Sequence, residues 1–482
     1  MINERARVHL NDWKHREKLS QAALPLIGSL YRDQAIVATV LGTSLVQKSA
    51  IEVLTLLDEA GHAARQRIGI EDVCELLQLM CELSLGRARI DIGKLLIRFY
   101  ADESSDLRTW GREALKPLVD RPKALPDEAQ DVVLYGFGRI GRLIARILIN
   151  KTGGGDKYRL RAIVLRKPKK PDLAKRASLL RRDSVHGMFP GTIELDKDNN
   201  AIIANGNMIK IIYAAAPDQV NYAEYGIQNA VVIDNTGIWR DREALSLHLK
   251  APGVSKVILT APGKGIPNVV YGVNSELIQE EETIFSAASC TTNAIAPVLK
   301  VVDETWGIRH GHLETIHAYT NDQNLIDNYH SKPRRGRGAP LNMVITTTGA
   351  AKAVTLALPQ LKGKLTGSAI RVPTPNVSLA ILNLQLGCDV TRDEVNDHLR
   401  LIATDSALYA QLGYTRSKEV VSSDLVGDHH AGTLDSVATQ VSGNTAVLYV
   451  WYDNEYGYSC QVVRMLQHIA GVQPVVFPSY DR

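Results

Sequence analysis

The chain has 482 residues, 45% of them hydrophobic and 22% charged, a globular composition that excludes a disordered or fibrous protein. Its 56 lysines and arginines against 52 aspartates and glutamates leave a net charge of +4, too little over this length to argue for a nucleic-acid partner. The five cysteines, Cys74, Cys81, Cys290, Cys388 and Cys460, show no zinc-ligand spacing, and an odd number cannot close a full disulfide set. Glu4 and Arg5 open the chain with no apolar run behind them, and no run of about 18 apolar residues follows anywhere. The expectation is a soluble, cytoplasmic protein of several domains, with reduced thiols and neither a metal nor a membrane partner.

In chain order, apolar residues first recur at helical spacing in Ile51, Val53, Leu54 and Leu57, then Val73, Leu76, Leu77 and Met80, then Ile92, Leu95, Leu96 and Phe99. Gly61, Gly69 and Gly86 fall between these runs, and Pro117, Pro122 and Pro126 read as a linker. Residues 1–127 are therefore expected to be a helical extension and linker. This stretch has no site-like cluster of His, Cys or carboxylates. It is either a plain appendage covering part of the main body or a docking, targeting or regulatory segment.

From Asp131 the texture changes to strand, glycine turn and helix. Asp131–Tyr135 reads as a strand and Leu143–Ile149 as a helix; apolar runs follow at Ala162–Leu165, Ala230–Ile233 and Val257–Leu259, with a helix-like stretch at Arg240–Leu249. Strands alternating with helices predict a Rossmann-type, doubly wound parallel sheet over 128–289. Beyond Cys290 the runs Leu313–Ala318, Ala369–Val372, Leu379–Leu386 and Ala446–Tyr452 read as longer strands of an α+β domain over 290–453. A C-terminal helix over 454–482 is expected to complete the dinucleotide domain.

Two features carry chemistry. Gly136, Gly138 and Gly141, with Arg139 and Ile140 between, form G-x-G-x-x-G between the first strand and its helix. The first glycine permits the tight turn, the second lets backbone approach a pyrophosphate, and the third lets helix and strand pack closely. The next strand, however, ends Leu165-Arg166-Lys167, without the acid that usually receives the ribose hydroxyls. The second feature is Ser289-Cys290-Thr291-Thr292-Asn293. A cysteine opening a helix has its thiolate stabilised by the dipole, and His317, in the strand-like Thr315–Thr320, could face it, though sequence alone does not prove that they meet. By itself Cys290 is equally readable as a small buried hydrophobe.

With these residues on the page, the chain from Asp131 onward closely resembles phosphorylating glyceraldehyde-3-phosphate dehydrogenase. The matching strings are G-F-G-R-I-G-R at 136–142, A-S-C-T-T-N at 288–293, H-A-Y-T-N-D-Q at 317–323, T-G-A-A-K-A-V at 348–354, L-K-G-K-L-T-G at 361–367, R-V-P-T-P-N-V at 371–377 and W-Y-D-N-E at 451–455. The resemblance implies Cys290 as nucleophile and His317 as base and later acid, acting through a thiohemiacetal and a thioester that inorganic phosphate attacks. It implies Thr320 and Arg371 for the substrate phosphate, and Ser289, Thr291, Arg335, Thr348 and Gly349 for the attacking phosphate. It implies Thr236, Gly237 and Asn454, with the glycine turn, for NAD or NADP. The implied partners are a phosphorylated aldehyde and inorganic phosphate, the implied assembly a homotetramer, and the nearest alternative activity an erythrose 4-phosphate dehydrogenase. A binding protein built on the fold is the rival of another class; loss of the nucleophile, base or phosphate arginines would point to it, and all are present.

The sequence departs from the family pattern in three places. Ala294 stands where many members carry a second cysteine. Asn328-Tyr329 occupies the position of a Leu-Pro pair, and Leu165-Arg166 replaces the ribose acid. The last two predict that NADP is accepted, preferentially or beside NAD, with Arg166 as partner of the 2′-phosphate.

Overall fold

The computed structural model describes residues 2–64, 66–102, 106–119, 129–151, 158–346 and 349–479. The chain divides into two compact units, one of residues 1–128 with 472–482 and the other of residues 129–471.

The first unit is largely helical, as its periodicity predicts, with helices at Ala50–Ala64, Ile70–Glu82 and Ile92–Ala101. Gly61 lies inside the first of these, and Gly69 caps the second. Pro117 sits in a short turn at Lys116–Leu118, whereas Pro122 and Pro126 lie outside the described residues. A long helix, Ile2–Gln34, precedes them. Its buried residues Ser20, Ala23, Ile27 and Leu30 recur at helical spacing, while residues 4–15 are exposed, which is why no apolar stripe announces it. The unit also contains a four-stranded sheet that the apolar periodicity does not reveal, in the order 43–44, 37–40, 88–91, 475–477. Its last strand, Val475–Phe477, comes from the C-terminal tail and runs parallel to Ala88–Ile90, with Val476 opposite Arg89. The terminal helix expected over 454–482 is therefore shorter, Tyr456–Ile469; beyond it the chain joins the other unit as a strand, because three residues of β-branched and aromatic character fit a sheet edge better than a helix end.

The second unit holds two eight-stranded sheets. In the first, the strands Ile284–Ser286, Val254–Leu259, Ala230–Asp234, Gln130–Tyr135, Tyr158–Leu165 and Asn207–Tyr213 lie side by side and parallel. Ala201–Ala204 and Ile193–Asp196 continue the edge antiparallel, a departure from a wholly parallel sheet that short connections, 205–206 and 197–200, permit. The parallel strands are continuous apolar runs because both faces are covered; Val132, Val133, Leu134, Ile163, Val232 and Ile258 are all fully buried. In the second sheet the central strand Ile308–Ala318 pairs parallel with Leu365–Val372 and antiparallel with Ser378–Leu386, which in turn pairs with Thr445–Tyr452. The helix Cys290–Trp306 packs on this sheet through Ile295, Val298, Leu299 and Val302, all at most 1% exposed.

Candidate active site

The strand Gln130–Tyr135 runs into Gly136, whose φ of +97° is accessible to glycine and strained for other residues. A Cβ at Gly141 would lie 2.6 Å from the Gly136 carbonyl oxygen, so only glycine lets the helix Arg139–Lys151 sit this close to the turn. At Gly138 a Cβ would meet nothing within 4 Å and the residue is exposed, so the turn offers bare backbone to the cleft. The tight turn at Gly136 and the close packing at Gly141 are those the spacing predicts, and the open backbone at Gly138 fits a pyrophosphate at a helix N-terminus. Arg139 donates from Nε to Glu455 at 2.9 Å and pairs with Glu455 and Asp183 through its terminal nitrogens. Its side chain is consumed in tying the turn to 453–455, which leaves its backbone N–H, with that of Ile140, for a ligand.

The neighbouring strand carries Asp234, whose Oδ1 accepts from the Thr236 N–H at 2.8 Å and the Thr236 hydroxyl at 2.7 Å. Its other oxygen pairs with His248 Nε2 at 3.0 Å, with both side chains fully buried. That pair fixes Thr236 against the turn: a Cβ on Gly136 would meet Thr236 Cγ2 at 3.1 Å. Gly237 follows at φ +65°. Sequence reasoning did not single out Asp234 or His248, since a lone buried acid and histidine 14 residues apart carry no motif. Arg166 lies exposed just past the carboxyl end of the interior strand Tyr158–Leu165, where the ribose acid is missing.

At the other site, Ala288 adopts φ +53°, a strained left-handed conformation that swings the chain into the helix Cys290–Trp306. Ser289 is the N-cap; its hydroxyl accepts from the Thr292 N–H at 3.1 Å and lies 2.7 Å from the Thr292 hydroxyl. Cys290 is the first helical residue, half-buried, with Sγ 3.6 Å from His317 Nε2. The histidine is brought there by register. It sits one residue from the end of Ile308–Ala318, directly opposite Arg371 on the parallel neighbour.

Burial pushes the Cys290 thiol up, against the opposing pull of Arg371, the Thr291 hydroxyl and the N–H groups of Thr291 and Cys290. Burial, then the Arg371 charge, also draws His317 down to about 3, so the imidazole is neutral at pH 7.

Around the pair, Arg371 Nη1 lies 2.6 Å from His317 Nδ1 and donates to the Ala318 carbonyl at 2.9 Å. The Thr320 hydroxyl and Arg335 both pair with the Asp322 carboxylate, and Arg335 also reaches the Thr346 hydroxyl at 3.1 Å. Of the residues expected for the two phosphates, Arg371 lies on the strand end and Thr320 and Arg335 on the segment that follows His317, Asp322 holding the last two, whereas Ser289 and Thr291 lie at the start of the helix Cys290–Trp306. The Thr291 hydroxyl is 3.0 Å from the Tyr452 hydroxyl, itself 2.6 Å from Thr315, so Tyr452 is a buried support for the helix start. Asp322 and Tyr452 fall inside matching strings, but only the fold shows what they touch. Gly349 precedes the helix Ala350–Ala357, and Thr348 lies outside the described residues. Asn454 is buried, with its Oδ1 accepting from the Ser378 hydroxyl at 2.9 Å, which fixes which way the carboxamide points.

A dinucleotide cradle on one sheet and a cysteine–histidine pair beside Arg371 on the other are the features of a nicotinamide-linked oxidoreductase. Family models agree: the glyceraldehyde 3-phosphate dehydrogenase NAD binding domain matches residues 130–242, and the C-terminal domain of the same enzyme matches 289–454. A glyceraldehyde-3-phosphate dehydrogenase-like protein of Pseudomonas aeruginosa (strain UCBPP-PA14) is 54% identical over 459 residues, spanning 94% of this chain and 100% of its own length. Glyceraldehyde-3-phosphate dehydrogenase 2 of Bacillus subtilis is 41% identical over 342 residues, 70% of this chain and 96% of that one. A chloroplastic glyceraldehyde-3-phosphate dehydrogenase A of Zea mays is 43% identical over 347 residues, 71% and 83% of the two chains. The chain belongs to the glyceraldehyde-3-phosphate dehydrogenase family, and its cofactor is NAD(P). The Pseudomonas match leaves too little of the chain uncovered to omit the N-terminal extension, so that relative shares most of it.

Proposed function

We propose that this chain oxidises glyceraldehyde 3-phosphate with inorganic phosphate to 1,3-bisphosphoglycerate, reversibly, with Cys290 as nucleophile and His317 as base. The observation that carries the reading is the 3.6 Å approach of Cys290 Sγ to His317 Nε2 beside Arg371, Arg335 and Thr320. His317 takes the thiol proton as Sγ bonds to the aldehyde carbon, and the Cys290 N–H with the imidazolium holds the oxyanion of the thiohemiacetal. When bound, NAD(P) would supply the acceptor for the hydride lost as the aldehyde carbon is oxidised to the acyl level. Asn454 would orient its carboxamide, and Gly136, Gly138, the backbone of Arg139, Ile140 and Gly141, with Thr236 and Gly237, would hold its diphosphate end. Arg371 and Thr320 bind the substrate phosphate, while Arg335, Ser289, Thr291, Thr348 and Gly349 position the phosphate that releases the acyl group.

Two further parts of the reading rest on surface features. Arg166, beside a strand end without an acid, lets the enzyme accept NADP as well as NAD. Leu325, Ile326, Tyr329, Leu341, Met343 and Ile345, all at least 61% exposed in one loop region, are more apolar surface than a monomer keeps, which supports a homo-oligomer, in this family a tetramer. The reading places the enzyme in the cytoplasm, where its five free cysteines stay reduced.

Steady-state turnover of glyceraldehyde 3-phosphate and of erythrose 4-phosphate, each with NAD and NADP and with or without phosphate, tests the proposal. Phosphate-dependent acyl phosphate from the three-carbon sugar is expected; free acid, or preference for the four-carbon sugar, refutes it. In the same assay Leu165→Asp should move the ratio of kcat/KM values toward NAD by roughly ten- to a hundredfold, about 1–3 kcal/mol. An unmoved ratio removes Arg166 from the reading.

A further inference from the structure

Between the short turn Ser422–Leu425 and the strand Gly432–Asp435 the chain gathers three metal-ligating side chains that the reaction does not use: Asp428, His429 and His430. One ligand atom from each lies within 4.8 Å of the others, and no second group of three histidines, cysteines or carboxylates does so among the described residues. His430 Nδ1 is 2.7 Å and His429 Nδ1 3.9 Å from Asp428 Oδ1. The two rings lie side by side, with centroids 4.1 Å apart. Around a tetrahedral zinc ion with nitrogen and oxygen ligands at about 2.1 Å, neighbouring donors sit about 3.4 Å apart. The two observed separations straddle that value, so modest side-chain shifts bring all three donors onto one ion without moving the backbone.

That backbone is held from two sides. The His429 carbonyl accepts from Gln461 Nε2 at 3.2 Å and from Arg464 Nη1 at 3.1 Å, both on the helix Tyr456–Ile469. In the same helix a Cβ at Gly457 would lie 2.6 Å from the His430 carbonyl oxygen, and one at Gly413 would lie 2.8 Å from His430 Nδ1, so ring and loop rest on bare backbone. The Thr433 hydroxyl donates to Asp428 Oδ2 at 2.5 Å, which leaves Oδ1 to the two rings and to the His430 N–H at 3.0 Å. The Asp428 side chain is only 13% exposed, and its ion-pair partners among the described residues are the two imidazoles, which carry charge only when protonated. A mostly buried carboxylate without a permanent cation beside it is a setting that a bound cation stabilises. We propose that Asp428, His429 and His430 bind one divalent transition-metal ion, with zinc as its type, through a carboxylate oxygen and two imidazole nitrogens. Two nitrogens and one oxygen suit zinc and its neighbours, whereas calcium and magnesium take oxygen ligands. The ion replaces the proton shared by His430 Nδ1 and Asp428. The histidine side chains are 31% and 23% exposed, so the ion enters from solvent and keeps water in its remaining positions. The site uses no cysteine, which is why no zinc-type cysteine spacing marks it. Its effect is to pin residues 428–430 against the helix Tyr456–Ile469, which stabilises the fold and leaves the chemistry alone.

Cys290 beside His317 is the other place where zinc could settle, so the full-length protein is first alkylated with iodoacetamide to remove that thiol as a ligand. It is then stripped with a chelator, incubated with zinc, desalted, and its metal counted by mass spectrometry. About one zinc per chain is expected in the alkylated protein. His429→Ala and Asp428→Asn should each bind zinc at least tenfold more weakly, since loss of even an outer-shell partner costs about 10–100-fold. Zinc should raise the Tm of the unmodified protein and leave that of both variants in place. Cobalt(II) in place of zinc should give the visible bands of a nitrogen–oxygen site with no thiolate charge-transfer band. Unalkylated His429→Ala should keep normal dehydrogenase turnover. Only trace zinc in the alkylated unmodified protein overturns the proposal, as does equal retention by both variants or a thiolate band from cobalt. If Asp428→Asn does not fold, because Thr433 and His430 lose their acceptor, His429→Ala and the cobalt spectrum decide. The site shares no residue with the proposed reaction, so its failure leaves the reading of Cys290 and His317 standing, and loss of turnover in the unmodified enzyme leaves the metal count unaffected.

Discussion

Two glycines three residues apart should fail in opposite ways when each is given a methyl group. At Gly141 the new Cβ would sit 2.6 Å from the Gly136 carbonyl oxygen and 3.5 Å from Asn235 Nδ2. Ordinary contacts begin near about 3.5 Å, so the helix Arg139–Lys151 must retreat by the better part of an ångström. The obstacle cannot yield, because it is backbone: Gly136 is fixed at φ +97° and its N–H is bonded to Val164 at 2.9 Å. Overpacking of this kind costs about 1–3 kcal/mol, which lowers Tm by roughly 2–4 °C per kcal/mol in a large domain. At Gly138 the methyl meets no protein atom within 4 Å, so Gly138→Ala should melt with the unmodified protein. It does, however, fill the space over which backbone approaches a pyrophosphate, and the expected loss is at least tenfold in affinity for NAD and NADP alike, about 1.4 kcal/mol or more. Thermal melting and cofactor titration by fluorescence of each variant decide the matter. A Gly138→Ala protein that binds both cofactors normally, or one that loses stability while keeping affinity, would refute the assignment of this turn.

Cys290→Ser should abolish dehydrogenase turnover while cofactor titration stays unchanged, and His317→Asn should slow acylation by roughly 10²–10⁴-fold; near-normal rates in either variant would remove the pair from the mechanism. Deleting residues 1–128 alone should leave a catalytically competent but aggregation-prone protein, because the edge Val475–Phe477 loses its partner strand Ala88–Ile90. Removing 472–482 together with 1–128 should restore solubility, as light scattering of the two truncations would reveal; an inactive but folded double truncation would show that the extension contributes to the site. His317 takes a proton near pH 6.5 when unfolded but only at about 3 when folded, so the unfolded chain binds more protons in between and stability falls as pH falls through that window. Urea midpoints at several pH values should fall less steeply in His317→Asn than in the unmodified protein, and equal slopes would contradict the burial argument.

The strand–turn–helix at 130–151 was legible because a G-x-G-x-x-G turn makes demands that only glycine meets, and those demands are local. The alternation of apolar strands and helices was legible for the same kind of reason: a parallel sheet covered on both faces leaves continuous apolar runs in the sequence. Cys290 at a helix start and His317 on a strand could each be seen singly. Their meeting could not, since 3.6 Å between Sγ and Nε2 depends on helix Cys290–Trp306 docking on the sheet. The same holds for Arg371 beside His317, which is a matter of register between two strands more than fifty residues apart, and for Tyr452, which reaches Thr291 and Thr315 across two further strand pairings. The helix Ile2–Gln34 escaped notice because only one side of its second half is buried. The tail strand 475–477 escaped because three residues carry no period and their partner lies almost four hundred residues away. Sequence by itself determined the conformations that single residues require and the chemistry they can offer. Which of them touch, and how their neighbours then shift their titration, was decided by tertiary packing, because hydrogen bonds and desolvation act over a few ångströms of space and not along the chain.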